Sequence, residues 1–292
     1  MQSSTVSTLL QDGSTKLRCA GSETPLLDCR ILLAHSLGVS ADALYSLYRD
    51  EVSAKAERTY HRLVHERSEG TPVAYLTGSI EFYGRSFLVD SRVLVPRPET
   101  EFLVDAALEK ATGLPPGTIL DACTGSGCVA VSLKAELPDR SIIASDISED
   151  ALIVARENAQ RLAHNDIRFV HTDAVPVSLG PYAMVTANPP YVPTEQCPRL
   201  RGNASCKHSP AWEPMLALDG GQDGLDIVTR IASEAFATLC PDGWFITEIG
   251  HDHRTRVCDL LARIGYTNVS CTRDLAGFDR IICGRKTNRQ SA

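Results

Sequence analysis

A planar amide, two rigid imino acids and a phenol follow one another in Asn188-Pro189-Pro190-Tyr191, directly after an apolar segment. An NH2 group on a planar substrate is a weak nucleophile unless it is held in line with its target at ~3 Å, because its lone pair is delocalised. The Asn188 side-chain oxygen and the Pro189 carbonyl can each accept one of its hydrogens. The prolines keep that carbonyl aimed, and Tyr191 can stack on the flat substrate group. The motif therefore predicts alkylation of a planar nitrogen.

A glycine-rich turn precedes this motif in "LDACTGSGCVA", between a strand pattern and a helix pattern. Open α/β sheets bind ligands at such a turn. Gly125 and Gly127 permit close approach of a ligand, and the N–H groups at a helix start favour negative charge. Taken alone, Gly125-x-Gly127-x-x-Ala130 also satisfies the relaxed dinucleotide fingerprint, so an NAD enzyme is a serious alternative.

Acidic residues at three strand ends distinguish these ligands. Asp121 lies beside the glycine turn, where its charge would repel a pyrophosphate but suits a cationic amino acid head group. Asp146 ends the second strand, where a ribose diol would be held. Asp173 ends the third strand and can accept from an adenine amino group, or serve as a turn or cap acid. The combination favours S-adenosylmethionine, with S-adenosylhomocysteine as the product.

The elements that must position these residues follow from the pattern after residue 118, where strand and helix signals alternate strictly. This predicts a Rossmann-like sheet of seven mostly parallel strands with crossover helices on both faces. Only "LAGF" separates the last two strands, so they should pair antiparallel at one edge. We predict a helical domain over residues 1–78, a β-hairpin linker in "IEFYGRSFLVD" and "RVLVP" over 79–96, and a methyltransferase domain over 97–292.

The helical domain is predicted from capping signals. One helix starts at Pro25 and stops at Gly38, with its apolar face on Leu27, Ile31 and Ala34. Serine caps predict two more helices, in "SADALYSLY" and "SAKAERTYHRLVHERSEG". Three such segments in succession favour a small bundle.

Composition limits the class of protein. With 292 residues, 43% of them hydrophobic, the chain can bury a sizeable core, and its net charge of −7 disfavours a dedicated duplex-binding protein. No run approaches the ~18 consecutive apolar residues of a membrane span, and the first residues lack the basic-then-apolar order of a secretory signal, so we expect a cytoplasmic protein. The ten cysteines are scattered, which favours buried free thiols. Cys197, Cys206 and His208 match no zinc spacing, so no metal site is expected.

These motifs resemble the release factor glutamine methyltransferases, the HemK/PrmC type, over nearly the whole chain. The resemblance implies an N-terminal helical domain before a class I methyltransferase fold, and methylation of the glutamine in the Gly-Gly-Gln loop of class 1 peptide chain release factors at its side-chain nitrogen, N5. The matching stretches are "TPVAYLTGSIEFYG", "RVLVPRPETE", "TGSG", "DISEDALIVARENA", "NPPY", "LALDGGQDGLD", "EIG" and "RDLAGFDR".

The resemblance also implies roles for individual residues. Cys123 stands where many relatives have Gly, and Ala174 stands where many have a larger side chain. The implied catalytic residues are Asn188, Pro189 and Tyr191, and the implied substrate-binding residues are these three with Pro190, Arg97 and Glu99. The implied cofactor-binding residues are Asp121, Cys123, Thr124, Gly125, Ser126, Gly127, Asp146, Ile147, Asp173, Ala174 and Asn188.

Other functions share some of these features. An N6-adenine methyltransferase acting on DNA or RNA would need a flipped base and a basic channel, which the acidic N-terminal region disfavours. The ribosomal protein glutamine methyltransferases resemble the chain at "NPPY" but typically differ after "VPR", where Pro98-Glu99-Thr100-Glu101 favours release factors. A non-enzymatic binding module would not need the motif and both cofactor acids. We expect a monomer with no direct nucleic acid or membrane partner.

Overall fold

The computed structural model describes residues 4–162, 166–197 and 212–287. The chain divides into two compact units. The first is built mainly from residues 4–79, and the second from residues 80–197 and 214–287 in the parts that the structure describes.

The first unit is a helical bundle, as the capping signals predict. The Ser53 hydroxyl accepts a hydrogen bond from the Ala56 N–H at 3.3 Å, and Gly38 ends a helix with a φ of 69°. In "SADALYSLY" only a short 3-10 turn forms, at Ala43–Tyr45, so the expectation of a full helix there is wrong. The α-helices are α1 (Val6–Cys19), α2 (Pro25–Leu37), α3 (Ala54–Ser68) and α4 (Val73–Thr77).

Helix α2 buries only part of the face that its apolar pattern predicts, because Ala34 is buried but Leu27 is not. Leu27 is 52% exposed, whereas Leu32 and Leu33 are fully buried. Asp28 lies on the buried face and accepts a hydrogen bond from Arg67 Nε at 2.8 Å. A buried carboxylate is tolerated when a charged partner and hydrogen bonds satisfy it. The apolar pattern did not indicate this face, because an aspartate in a sequence usually marks the exposed side of a helix.

The hairpin is shorter than predicted. Strand β1 (Ser79–Phe82) pairs with β2 (Arg85–Leu88), and the turn residues Tyr83 and Gly84 have φ values of 49° and 69°. Positive φ at both central residues is a feature of type I′ hairpin turns. The apolar stretch "RVLVP" forms no strand. Its first three residues instead line the cavity described below.

Seven described strands form one sheet, in the order β5-β4-β3-β6-β7-β9-β8. The inner strand β3 is parallel to both neighbours, and β9 is antiparallel to both of its own, which confirms the predicted topology. The strands are β3 (Thr118–Ala122), β4 (Ile142–Asp146), β5 (Arg168–His171), β6 (Tyr182–Ala187), β7 (Leu239–Glu248), β8 (Thr267–Arg273) and β9 (Asp279–Arg285).

Helices pack on both faces of this sheet. Successive strand residues point to opposite faces. Ile119 and Met184 accordingly lie in one apolar core, and Leu120 and Val185 lie in the other. The first core also contains residues of α5 (Glu101–Ala111), α6 (Cys128–Glu136) and α7 (Glu149–Arg161), and the second contains residues of α8 (Asp226–Thr238) and α9 (Arg254–Ile264).

The described cysteines are free thiols, and no described helix is long and apolar enough to cross a membrane. The prediction of buried thiols holds for Cys29, Cys128, Cys197 and Cys283, whereas Cys19 is exposed.

Candidate active site

The carboxyl ends of three parallel strands meet at one edge of the sheet. The register of β3 and β6 places Asp121 beside Thr186 and Ala122 beside Ala187. On the other side of β3, strand β4 ends at Asp146. The glycine turn that follows β3 and the Asn-Pro-Pro-Tyr stretch that follows β6 are therefore neighbours, at the edge where open α/β sheets bind ligands.

The two glycines of the turn have different structural roles. Gly125 has a φ of 55° and lines the cavity, and a Cβ atom built on it would meet no other atom within 4 Å. Gly127 has a φ of 80°, and its Cβ would lie 3.1 Å from the Cβ of Ala155. Gly125 thus leaves room for a ligand, whereas Gly127 allows α6 to approach α7.

Two residues with side chains also adopt the left-handed backbone conformation here, Cys123 with a φ of 56° and Ala174 with a φ of 66°. This conformation costs a non-glycine residue roughly 1–2 kcal/mol. Gly would adopt the backbone conformation of Cys123 without this cost.

The Asp146 carboxylate closes the glycine turn. Its Oδ2 accepts a hydrogen bond from the Gly125 N–H at 2.9 Å, and its Oδ1 accepts one from the Ser148 N–H at 2.9 Å. Burial raises the pKa of this carboxyl, and the backbone hydrogen bonds oppose that rise. Asp146 lines the cavity and is oriented by both bonds, so a ribose diol could share its remaining lone pairs.

Asp121 is almost wholly buried, at 1% exposure, and also lines the cavity. Its two oxygens accept hydrogen bonds from the Thr124 hydroxyl at 2.6 Å and the Thr186 hydroxyl at 2.9 Å. Burial raises its pKa to about 6, against these hydrogen bonds, which lower it. A carboxylate so poorly solvated suits a cationic ligand group, because the cation restores a partner for its charge.

Asp173 forms an ion pair that the sequence did not suggest. Its two oxygens accept hydrogen bonds from Arg230 Nη1 at 2.5 Å and Nη2 at 2.6 Å. Glu234, one helical turn further along α8, accepts a hydrogen bond from the Val175 N–H at 3.1 Å. Helix α8 therefore anchors the segment after β5, and any contact of Asp173 with an adenine would use the lone pairs that Arg230 leaves.

These elements enclose a cavity of about 390 Å³. The structure brings most of the predicted residues to it, but Gly127, Pro189, Tyr191, Arg97 and Glu99 are not among the described residues that line it. The predicted residues that do line it are Asp121, Cys123, Thr124, Gly125, Ser126, Asp146, Ile147, Asp173, Ala174, Asn188 and Pro190.

The Asn-Pro-Pro-Tyr stretch is connected to a buried acid. Asn188 Nδ2 donates to the Thr100 hydroxyl oxygen at 3.1 Å, and the Thr100 hydroxyl donates to Glu248 Oε2 at 2.7 Å. The Tyr191 hydroxyl donates to the other oxygen of Glu248 at 3.3 Å. Glu248 is only 2% exposed and Thr100 likewise. The Tyr191 ring is therefore tethered at its hydroxyl end, and the Asn188 amide at its nitrogen.

Sequence reasoning assigned no role to three polar residues of this region, Thr100, Arg230 and Glu248. Thr100 and Glu248 occur within "PETE" and "EIG", which carried the resemblance, but their contact spans 148 residues of sequence. Arg230 and Glu234 stand four residues apart on one helix face, which was the only local signal for them.

The glycine-rich segment "LALDGGQDGLD" packs against the backbone of the Asn-Pro-Pro-Tyr stretch and of the residue that follows it. The Val192 N–H donates to the Leu218 carbonyl, and the Gly220 N–H donates to the Val192 carbonyl, both at 2.9 Å. A Cβ atom at Gly220 would lie 2.7 Å from the Pro190 oxygen and from the Tyr191 Cα. Glycine at this position therefore permits the two backbones to touch.

We expect Gly220→Ala to destabilise the protein by about 1–3 kcal/mol, as overpacking does. The backbone on both sides of the contact must move, so the rate of methyl transfer should fall as well. Thermal melting measures the loss of stability, and a single-turnover assay measures the loss of rate. Gly220→Val should lower both the stability and the rate further than Gly220→Ala does. An alanine variant that melts and turns over like the wild type would show that the contact can relax.

No cluster of three or more His, Cys, Asp or Glu side chains that could hold a metal ion occurs within residues 4–162, 166–197 and 212–287. Cys206 and His208 lie outside the described residues.

Comparison with known proteins gives matches along most of the chain. The PrmC N-terminal domain matches residues 8–78, and the methyltransferase small domain matches residues 98–200. A release factor glutamine methyltransferase of Koribacter versatilis is 37% identical over 92% of this chain and 94% of its own length. One of Vibrio cholerae is 35% identical over 98% of this chain and 99% of its own length.

The fold is also found in solved structures. The hMettl16 catalytic domain, in complex with MAT2A 3'UTR hairpin 6, superposes with a TM-score of 0.54 over 69% of this chain and 76% of that chain. At 16% sequence identity this likeness concerns the fold alone. The similarity to the curated relatives extends over both compact units, and the chain belongs to the release factor glutamine methyltransferase family.

Proposed function

We propose that this enzyme transfers a methyl group from S-adenosylmethionine to the side-chain amide nitrogen of the glutamine in the Gly-Gly-Gln loop of peptide chain release factors. The observation that supports this best is the Asn188 amide, which lines the same cavity as Gly125 and Asp146 and is held at its nitrogen by Thr100. The family to which the chain belongs supports the same reaction.

The cavity fits the proposed cofactor. It offers one carboxylate for a ribose diol, Asp146, a second for a cationic head group, Asp121, and an open glycine surface at Gly125. Asp173 and Ala174 would contact the adenine, and Ile147 beside them is 43% exposed. When bound, S-adenosylmethionine supplies a methyl group on a sulfonium, so that a carbon–sulfur bond breaks as the nitrogen–carbon bond forms and S-adenosylhomocysteine leaves.

The motif residues orient the substrate amide. Asn188 Oδ1 and the Pro189 carbonyl each accept one hydrogen of its NH2 group, which aims the nitrogen and stabilises the positive charge that develops on it. Pro189 and Pro190 restrict the backbone that carries these acceptors. Tyr191 is not among the described residues that line the cavity, and we assign to its ring the packing against the flat face of the amide. No side chain is needed as a strong base, because an alkylated amide nitrogen loses its proton readily to water or a backbone acceptor.

Recognition of the whole release factor is assigned to other parts of the chain. We assign docking to the helical domain of residues 1–78 and contacts near the reacting glutamine to Arg97 and Glu99. The segment of residues 79–96, which begins with the β1–β2 hairpin, would link this domain to a catalytic domain of residues 97–292. The protein is proposed to act in the cytoplasm as a monomer.

A transfer assay with labelled S-adenosylmethionine tests the function. We expect label in a class 1 release factor and none in the same factor with Ala in place of the Gly-Gly-Gln glutamine. Label in a DNA duplex or an RNA hairpin instead would support adenine methylation, and label in a ribosomal protein would support the sister activity. Either of these results without transfer to the release factor overturns the proposal.

Deleting residues 1–78 should raise the KM for whole release factor at least about tenfold, the loss of about 1.4 kcal/mol of binding. Activity on a short peptide carrying the Gly-Gly-Gln sequence should change little, because such a peptide cannot reach a separate docking domain. Calorimetry with S-adenosylhomocysteine would show that the truncated protein still folds. Equal KM values for the whole factor would remove the docking role.

A further inference from the structure

The protons of the Asn188–Thr100–Glu248 chain can be assigned from the chemistry of its members. An ionised carboxylate accepts hydrogen bonds and donates none. The single hydroxyl proton of Thr100 therefore lies in its 2.7 Å bond to Glu248 Oε2. The Thr100 oxygen is left with lone pairs alone to offer its other neighbour, Asn188.

An amide next to such an oxygen has one favourable orientation. Asn188 turns its NH2 group to Thr100, with Nδ2 3.1 Å from the hydroxyl oxygen, and its Oδ1 is left for the cavity that Asn188 lines. The reverse orientation would set Oδ1 against the Thr100 lone pairs and present N–H groups to the NH2 of a substrate. We propose that Thr100 and Glu248 are positioning residues that keep Asn188 Oδ1 turned toward the substrate amide.

This inference rests on the proposed function, because it concerns how the same amide is presented. It goes further in assigning a role to two residues with no direct part in the bond changes. Glu248 is not among the described residues that line the cavity, and its side chain accepts hydrogen bonds from Thr100 and Tyr191. Its effect on the reaction would have to pass through those two side chains.

The charge on Glu248 depends on its surroundings. Burial raises its pKa to about 7, while the hydrogen bonds from Thr100 and Tyr191 and the charge of Arg280 lower it, and the charge of Glu99 raises it. Glu248 therefore changes its protonation state close to neutral pH.

The neighbours of Glu248 keep their own charge states in that range. Burial raises the pKa of Tyr191 further above its ordinary value, against the charges of Arg280 and Arg97, so its hydroxyl stays protonated. Burial raises the pKa of Asp274, but the hydrogen bond from Arg280 Nε at 2.9 Å helps to bring this pKa below its ordinary value. The Asp274–Arg280 pair therefore stays ionised. Glu248 is thus the member of this cluster whose titration can change the chain of hydrogen bonds.

Protonation of Glu248 reverses the chain. A protonated Glu248 can donate to the Thr100 oxygen, and the Thr100 proton is then free to be donated to Asn188 Oδ1. The Asn188 side-chain amide then flips, so that its N–H donors face the substrate NH2. The rate of methyl transfer should therefore fall by about tenfold per pH unit below the pKa of Glu248, in proportion to the ionised fraction.

The first test compares two substitutions of Thr100 in the full-length enzyme, by single-turnover transfer to saturating release factor at pH 8. Thr100→Val keeps the shape but removes the hydroxyl, and we expect a rate about 10- to 100-fold lower, as for a misplaced positioning group. Thr100→Ser keeps the hydroxyl and should restore most of that loss. Thermal melting and the Kd of S-adenosylhomocysteine, which should change little, separate this effect from a general loss of structure.

The second test uses the pH profile of Glu248→Gln. Glutamine can accept from Thr100 through Oε1 and donate to the Tyr191 oxygen through Nε2 at any pH. We expect the wild-type rate to rise with pH to a plateau above neutrality, and the variant to reach a similar plateau rate without the loss near pH 7. Any acid limb that remains in the variant should lie lower, where Asp121 with its pKa of about 6 titrates. An unchanged acid limb, a variant as slow as Thr100→Val at every pH, or a valine variant at the wild-type rate would each overturn the inference. Failure of the proposed function is separate, because the wild type would then not methylate release factor at all.

Discussion

Replacing Asn188 by Ala is expected to lower the rate constant of methyl transfer to release factor by about 10²–10³, the loss that follows removal of one oriented transition-state contact. In the proposed mechanism the Asn188 oxygen holds the substrate nitrogen in its reacting geometry, whereas docking of the whole release factor is assigned to other residues. The KM for release factor should therefore change little. Single-turnover kinetics with saturating factor measure the effect without interference from product release.

Asn188→Asp is the stricter variant of this experiment. The aspartate keeps acceptor oxygens but has no N–H to donate to the Thr100 oxygen, and it places a negative charge near the sulfonium. We expect tight cofactor binding with slow transfer. If both substitutions left the rate at the wild-type value, Asn188 would be only a turn residue after β6.

The second large effect is expected from Asp146→Ala. Charge-assisted hydrogen bonds that a ribose diol donates to a carboxylate contribute about 1.5–3 kcal/mol, so the Kd for S-adenosylhomocysteine should rise roughly 10- to 150-fold. The substitution also removes the acceptor of the Gly125 N–H, which loosens the glycine turn. Isothermal calorimetry measures the affinity directly and does not depend on activity.

Two further variants separate these contributions. Asp146→Asn keeps an acceptor for one backbone N–H and loses the charge, so its affinity should lie between those of the wild type and the alanine variant. Asp139→Ala changes an exposed aspartate that does not line the cavity, and it should bind like the wild type. An Asp146→Ala protein with wild-type affinity would exclude the ribose contact.

The sheet was the most predictable part of the fold. The strand β3 was predicted at its observed residues, because "TILDA" is an apolar run that ends at a glycine turn. The antiparallel edge was predicted from the short connection before β9, which in the structure comprises the five residues 274–278, too few for a crossover. Local patterns were less informative where tertiary contacts determine which residues are buried. Asp28 is an example, because its burial depends on Arg67, far along the chain.

The site was predictable where it follows strand ends. Asp121, Asp146 and Asn188 could be identified because the chain leaves β3, β4 and β6 at one edge of the sheet. Thr100 and Glu248 could not, since their contact depends on a 3-10 turn packing against the end of β7. The different roles of Gly125 and Gly127 also needed the structure, because only the distance to Ala155 reveals that one of them packs two helices.

The central claim is that the cavity directs a methyl group onto a glutamine side-chain amide. Fragmentation mass spectrometry of a release factor after incubation with the enzyme and S-adenosylmethionine tests it most directly. The account predicts one added methyl group, located on the side-chain nitrogen of the glutamine in the Gly-Gly-Gln loop, and no such product with the Asn188→Ala enzyme within the same time. A methyl group on another residue, or none on the factor, would contradict it.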